Sequence, residues 1–366
     1  MGHSGHNLLI GTYTETLPHV TGTADGILGA SYDPLTGAVS DVTVLAPTRN
    51  PSYLAVAPDG RHVYAVNETH TFEDQPGGGV TAFARDPATG ALGQLNSRSS
   101  DGVAPCYLAV DGRVLLVANY DSGSMTAVSI EPDGRLGPEA AHVQHQGSSV
   151  NPDRQSGPHV HTVSPDPVTG DILVSDLGLD AVLTYQLTVS GLTERPGTRF
   201  AAPPGAGPRH IAFHPDGQHV FVVCELASVV LTLRRVDGRL VLAHVASTLP
   251  PGAESGPATP ATPPTLAGAI RVTPSGRYVL VSNRGHDSLV MLRFDAETPA
   301  LTLAHVQPSG GAAPRDFCLT PEADRLIIAH QDSSNLVVMD IDEDRPELRP
   351  LSTTQAATPS SVLFVP

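Results

Sequence analysis

The side chains of this 366-residue chain that could do chemistry are three arginines, a glutamate and a group of histidines, each at the edge of a short apolar run. His159 and His161 lie in Gly157-Pro-His-Val-His161, Arg209 and His210 in Gly207-Pro-Arg-His210, and Arg315 in Pro314-Arg-Asp-Phe317. Glu225 follows His219-Val-Phe-Val-Val-Cys224, and Arg284 and His286 follow Tyr278-Val-Leu-Val-Ser282. A guanidinium fork matches two oxygens of a phosphate or carboxylate, and imidazole or carboxylate can accept a proton. Taken singly, each has a plainer use, since a strand-end arginine commonly pairs with an acidic neighbour and Glu68 or Glu225 could cap turns. Their value depends on whether the fold brings them together.

The elements that would do so repeat. Pro58-Asp-Gly60, Asp111-Gly112, Pro215-Asp-Gly217 and Thr273-Pro-Ser-Gly276 each precede an apolar strand that ends in polar residues, and Pro165 and Pro321 mark two more such turns. Six units thus recur at a period of about fifty residues, the size of a propeller blade. A seventh is split between the termini: Leu8 to Tyr13, Ile27 to Tyr32 and Val39 to Leu45 supply three strands, and Ser361-Val-Leu-Phe-Val365 supplies the missing innermost one. The expectation is an all-β, seven-bladed β-propeller of four-stranded blades, one domain over residues 1–366. Blade 1 is expected from about 7–46 plus 360–366, closed by pairing of the C-terminal strand with the N-terminal blade.

Successive strands of a blade are antiparallel, so the start of the innermost strand and the end of the second share a face of the disc. His159, His161, Arg209, His210, Arg315 and Asp316 fall at innermost-strand starts. Asn67, Glu68, Asn119, Tyr120, Asp176, Glu225, Arg284, His286, Gln331 and Asp332 fall at second-strand ends. All are therefore expected at one mouth of the central channel, with the Pro-Asp-Gly turns on the other face. Arg209, Arg284 and Arg315 would anchor an anion, Glu225 and His161 would be proton acceptors, and His159, His210, His286, Arg315, Asn119 and Gln331 would bind substrate.

Composition narrows the partners. A formal net charge of −16 repels nucleic-acid backbones and anionic membrane surfaces. No charged n-region with an apolar h-region opens the chain and no apolar run reaches bilayer length, which points to a cytoplasmic protein. Cys106, Cys224 and Cys318 lie on different expected blades without metal spacing, which argues for reduced thiols. His159 and His161 point to one side of a strand as metal ligands can, but have no thiolate or third histidine at usable spacing. No metal and no cofactor are expected, and the chain is expected to be a monomer or weak homo-oligomer. The stretch from Pro250 to Pro264 reads as a long surface loop.

Seven segments in order then show a resemblance: Asn50-Pro-Ser-Tyr-Leu-Ala-Val-Ala-Pro-Asp-Gly60, Ala118-Asn-Tyr120, Asn151-Pro-Asp-Arg-Gln155, Gly157-Pro-His-Val-His161, Gly207-Pro-Arg-His210, Ser282-Asn-Arg-Gly-His-Asp-Ser288 and Pro314-Arg-Asp-Phe317. Together they resemble the lactonase family of seven-bladed propellers, from Ile10 to the last strand. The resemblance implies a small anionic lactone as substrate and active-site roles for His161, Arg209, Glu225 and Arg284. The chain departs from the family at Cys224 and His330, where Asn is common, at Tyr107, where His is common, and at Gly268-Ala-Ile270, which lacks a common acidic residue. The reaction expected first is hydrolysis of a sugar-acid lactone, 6-phosphogluconolactone above others. A muconolactone-type cycloisomerase and a non-catalytic propeller that binds a metabolite or protein are the alternatives.

Overall fold

The computed structural model describes residues 6–189, 191–253 and 264–365, so most of the Pro250 to Pro264 stretch lies outside the described residues. Among those described there is no α-helix, and none long and apolar enough to cross a membrane. Seven antiparallel sheets form the ring as expected. Blade 1 orders Pro359–Phe364, His6–Thr12, Ile27–Tyr32 and Val39–Ala46 from the axis outward. The closing strand pairs Leu8 with Phe364, Leu9 with Leu363 and Ile10 with Val362.

Blades 2 to 7 each run outward in chain order. Their innermost strands are Leu54–Val56, Pro105–Asp111, Val160–Pro165, Pro208–Phe213, Leu266–Val272 and Pro314–Leu319. Their second strands are His62–Asn67, Val114–Asn119, Ile172–Asp176, His219–Cys224, Tyr278–Arg284 and Arg325–His330. The middle of each second strand is a run of consecutive apolar residues because a neighbouring blade covers each of its faces. Val220 to Cys224, for example, are all fully buried. Outermost strands such as Glu347–Gln355 alternate toward solvent. The core is a set of seams between blades: Leu116 and Met125 of blade 3 pack with Val163, Ile172 and Leu183 of blade 4 in one such cluster.

Two elements outside the repeat matter for the site. After the second strand of blade 1, a hairpin of Thr16–Leu17 and Val20–Thr21 rises beside the mouth. The segment 145–159 crosses from blade 3 to blade 4 and is held by Asn151, whose Oδ1 accepts from the amides of Asp153 and Arg154.

Candidate active site

Several innermost strands share a local irregularity. In four of them, those of blades 3, 4, 5 and 7, the register shifts at one residue: between Pro105 and Tyr107, Val160 and Thr162, Pro208 and His210, and Pro314 and Asp316. The bulged residues are Cys106, His161, Arg209 and Arg315. A β-bulge leaves one residue outside the ladder and re-aims its side chain, here toward the channel. In three of these strands a proline precedes the bulge, where its missing N–H has no ladder bond to make. The bulge of blade 5 is pinned from its neighbour, Ser175 Oγ donating to the Arg209 carbonyl at 2.5 Å.

The mouth holds a cavity of about 440 Å³ lined by Glu68, Cys106, Tyr120, Arg154, His161, Glu225, Arg284 and Arg315, with Leu17, Pro18 and His19 of the hairpin along one side. Beneath it a chamber of about 10 Å³, room for one water, is lined by Ser52, Glu68, His161, Arg209, His210 and Arg315 among others. Glu225 is the electrostatic centre. Its Oε1 accepts from Arg154 Nη2 at 2.7 Å, and its Oε2 from Arg284 Nη2 at 2.7 Å and Arg209 Nε at 3.1 Å. Burial by itself would raise this carboxyl, but Arg284, Arg154 and Arg209 together hold it well below the usual carboxylate range. Arg209 also moves down, to about 10, because burial and the adjacent Arg284 outweigh Glu225; it remains a cation at neutral pH. Four guanidinium groups thus face Glu225 and Glu68 in the depth of the site; the chamber's further carboxylate, Asp316, is paired with Arg271 Nη2 at 2.8 Å, and at the rim Asp121 is taken up by His70 Nε2 at 2.7 Å. The excess of positive charge suits an anionic ligand in an otherwise acidic protein.

His161, 5% exposed, is pushed well below the ordinary imidazole value by burial and then by Arg209, so it is neutral at pH 7. Its Nδ1 lies 3.8 Å from Cys106 Sγ. Burial drives that thiol up, which leaves a neutral pair and no thiolate nucleophile.

Several side chains expected to bind substrate are used elsewhere. Arg209 and His210 reach the lower chamber and not the larger cavity: Arg209 Nη1 is spent on the Gly268 carbonyl at 2.8 Å, and the His210 ring packs 5.3 Å from that of Tyr107. Asn119 is fully buried inside blade 3, donating to Ser100 O, because a second-strand end turns inward when its neighbours offer acceptors. His159 stacks behind Tyr120 at 4.5 Å and bonds its carbonyl, bracing the ring that lines the cavity. His286 is exposed on its turn, bonded to Ser288 Oγ, and is absent from the cavity wall. Gln331 acts through Arg315, accepting from Nη1 at 3.1 Å while its amide holds the hairpin at His19 O. Arg154 is the cationic residue the strand phasing missed. It comes from the interblade segment, and its motif Asn151-Pro-Asp-Arg-Gln155 was the available signal.

Residues 7–364 match the family described as lactonase, 7-bladed beta-propeller. The chain belongs to the lactonase family. It is 32% identical to the 6-phosphogluconolactonase of Bacillus subtilis (strain 168) over 97% of both chains. Among solved structures, it superposes on the periplasmic gluconolactonase of Pseudomonas aeruginosa with a TM-score of 0.89 at 31% identity, over 99% of both chains. It also superposes on a Lactobacillus plantarum protein with a TM-score of 0.88 at 29% identity, over 99% of this chain and 100% of that one. This lactonase is a carboxylic ester hydrolase whose reaction opens a cyclic ester with water.

Among the described residues, the cluster with metal-ligand spacing is His214, Asp216 and His219. It sits on the turn between the first two strands of blade 5, on the face away from the mouth, and its atoms are already bonded: Asp216 Oδ2 to His219 Nδ1 at 2.7 Å and Asp216 Oδ1 to His214 Nδ1 at 3.0 Å. At the mouth, arginines are placed to supply the charge that a Lewis-acid metal would bring. Lactone hydrolysis is therefore expected to stay within about twofold of its rate after incubation with EDTA. Loss of activity, restored by a divalent cation, would recast His161 and its neighbours as ligands.

Proposed function

We propose that the substrate is the lactone of a phosphorylated sugar acid, 6-phosphogluconolactone first among them. The observation that carries this reading is the set of cations on the cavity wall: Arg154, Arg284 and Arg315 line a volume within the usual range for small-molecule sites, ~300–1,000 Å³. A doubly charged phosphate uses such an excess of positive charge better than a neutral sugar lactone does. Guanidinium donors that the protein does not already use would bind the phosphate and receive the oxyanion formed as water adds to the carbonyl. His161, neutral and facing both the cavity and the chamber, is placed to contact the attacking water. A strained cyclic ester needs little beyond positioning and charge stabilisation, so no covalent intermediate is called for. A cytoplasmic location goes with this reading, since phosphorylated sugars are made and consumed inside the cell.

The test is base release from a panel of phosphorylated and unphosphorylated sugar lactones and a muconolactone, each corrected for spontaneous opening. The expected result is preference for a phosphorylated sugar lactone. Arg284→Ala should raise KM for that substrate about 10- to 100-fold, the worth of one charge-assisted hydrogen bond of ~1.5–3 kcal/mol, and should change KM for the unphosphorylated lactone less. Equal rates across the panel, with Arg284→Ala indifferent to phosphate, would remove the phosphate from the proposal.

A further inference from the structure

We infer that Glu68 is the base that takes the proton from the attacking water; the inference rests on the lactone-hydrolysis reading. Two carboxylates stand in the depth of the cavity, and their surroundings differ in kind. Both oxygens of Glu225 are occupied by three guanidinium groups. Glu68 has no guanidinium partner among the described residues. Its Oε2 is held by two hydroxyl groups, Tyr13 at 2.9 Å and Ser52 at 2.5 Å. Its Oε1 accepts no hydrogen bond among the described residues; His19 Nε2 lies 3.9 Å from it, and burial, then Arg315, pushes that imidazole down to about 3, so it is neutral at pH 7.

The mounting is rigid. The Glu68 amide donates to Asn50 O at 3.0 Å, and Asn50 Nδ2 returns a bond to Glu68 O at 3.1 Å. Asn50 is itself fully buried at φ 38°, with Oδ1 accepting from the amides of Thr14 and Glu15. Glu68, 6% exposed, borders both the 440 Å³ cavity and the 10 Å³ chamber, opposite Arg315 and His161, which border both as well. A water at that junction would meet a free carboxylate oxygen on one side and a neutral imidazole on the other.

The step balances without a further reactant. The water oxygen bonds to the lactone carbonyl carbon while one of its protons passes to Glu68 Oε1. The ring C–O bond then breaks, and the leaving ring oxygen takes that proton back from Glu68. The new carboxylic acid loses its remaining proton to solvent.

The experiment compares wild type with Glu68→Gln, Glu68→Asp and Glu68→Ala on the preferred lactone of the panel, with fold monitored by thermal unfolding. Glu68→Gln should lower kcat about 100-fold or more, leave KM within a few-fold, and flatten the acid limb of the pH–kcat profile. Glu68→Asp should retain part of the activity, and sodium formate should restore turnover to Glu68→Ala. A wild type inactive on every lactone would sink the hydrolysis reading itself. An active wild type with Glu68→Gln within threefold of it, or a folded Glu68→Asp inactive together with Glu68→Ala unresponsive to formate, would overturn the role of Glu68 alone. If Glu68→Gln does not fold, the aspartate and formate results decide.

Discussion

Glu225→Gln is expected to lose roughly 3–5 kcal/mol of stability, the scale for breaking a buried ion pair by removing one partner, and to lower turnover together with it. The carboxylate is 3% exposed and bonds three guanidinium groups. A neutral amide would leave Arg209, 2% exposed, and Arg284 with one negative charge fewer against them, and would turn two N–H donors toward groups that only donate. The sign of the pH dependence follows from the carboxyl being held below its ordinary value of 4.5. Its contribution is present in full above that unfolded value and is lost as the pH falls through the folded one. Denaturant unfolding at pH 7 and again near pH 4 checks this: wild type should lose stability between the two, and the variant should lose less. Because the arginines take their positions from Glu225, kcat should fall even where Glu68, as inferred above, is the group that takes the proton from water. A variant as stable and as active as wild type at pH 7 would show that the cluster does not depend on its centre.

Deleting residues 359–366 is expected to abolish cooperative folding or drive the protein into aggregates. The strand Pro359–Phe364 joins three blades. It ladders with His6–Thr12, its Val362 packs with Cys318, Ile327 and Ala329 of blade 7, and Ser360 Oγ donates to Ser52 O of blade 2 at 2.8 Å. Removing it exposes the edge of blade 1. It also uncovers apolar side chains worth about 1.5–3 kcal/mol each, among them Tyr32, whose ring meets Phe364 at 5.5 Å. The same cut opens the lower chamber, which Ser360 helps to line. Thermal unfolding and sedimentation of the truncated chain provide the check. A soluble monomer with wild-type Tm would mean that the ring does not depend on its closing strand.

The strand phasing that the sequence shows is local in origin. Each turn, apolar run and polar tip lies within about twenty consecutive residues, and antiparallel pairing then dictates which ends share a face. That is enough to count seven blades, to foresee the closing strand, and to bring His161, Glu225, Arg284 and Arg315 to one cavity. It does not resolve depth. Arg209 and Arg315 sit at equivalent positions after a proline, yet Arg209 is drawn below the cavity by the Gly268 carbonyl, contributed by blade 6 and 59 residues away, while Arg315 lines both spaces. The bulges that re-aim these side chains leave no mark in the apolar pattern, because one extra residue at a strand end reads like any other.

What the sequence by itself determined is therefore the repeat, the closure and the face on which the chemistry lies, all products of short-range patterning. What only the tertiary structure decided is the wiring between blades. Arg154 reaches Glu225 across 71 residues, Tyr13 and Ser52 hold Glu68 while leaving one oxygen open, and Asn119 is diverted to the Ser100 carbonyl at the end of blade 2. Such partners are chosen by ring closure, which sets side chains from distant blades a few ångströms apart, and no local propensity encodes that distance.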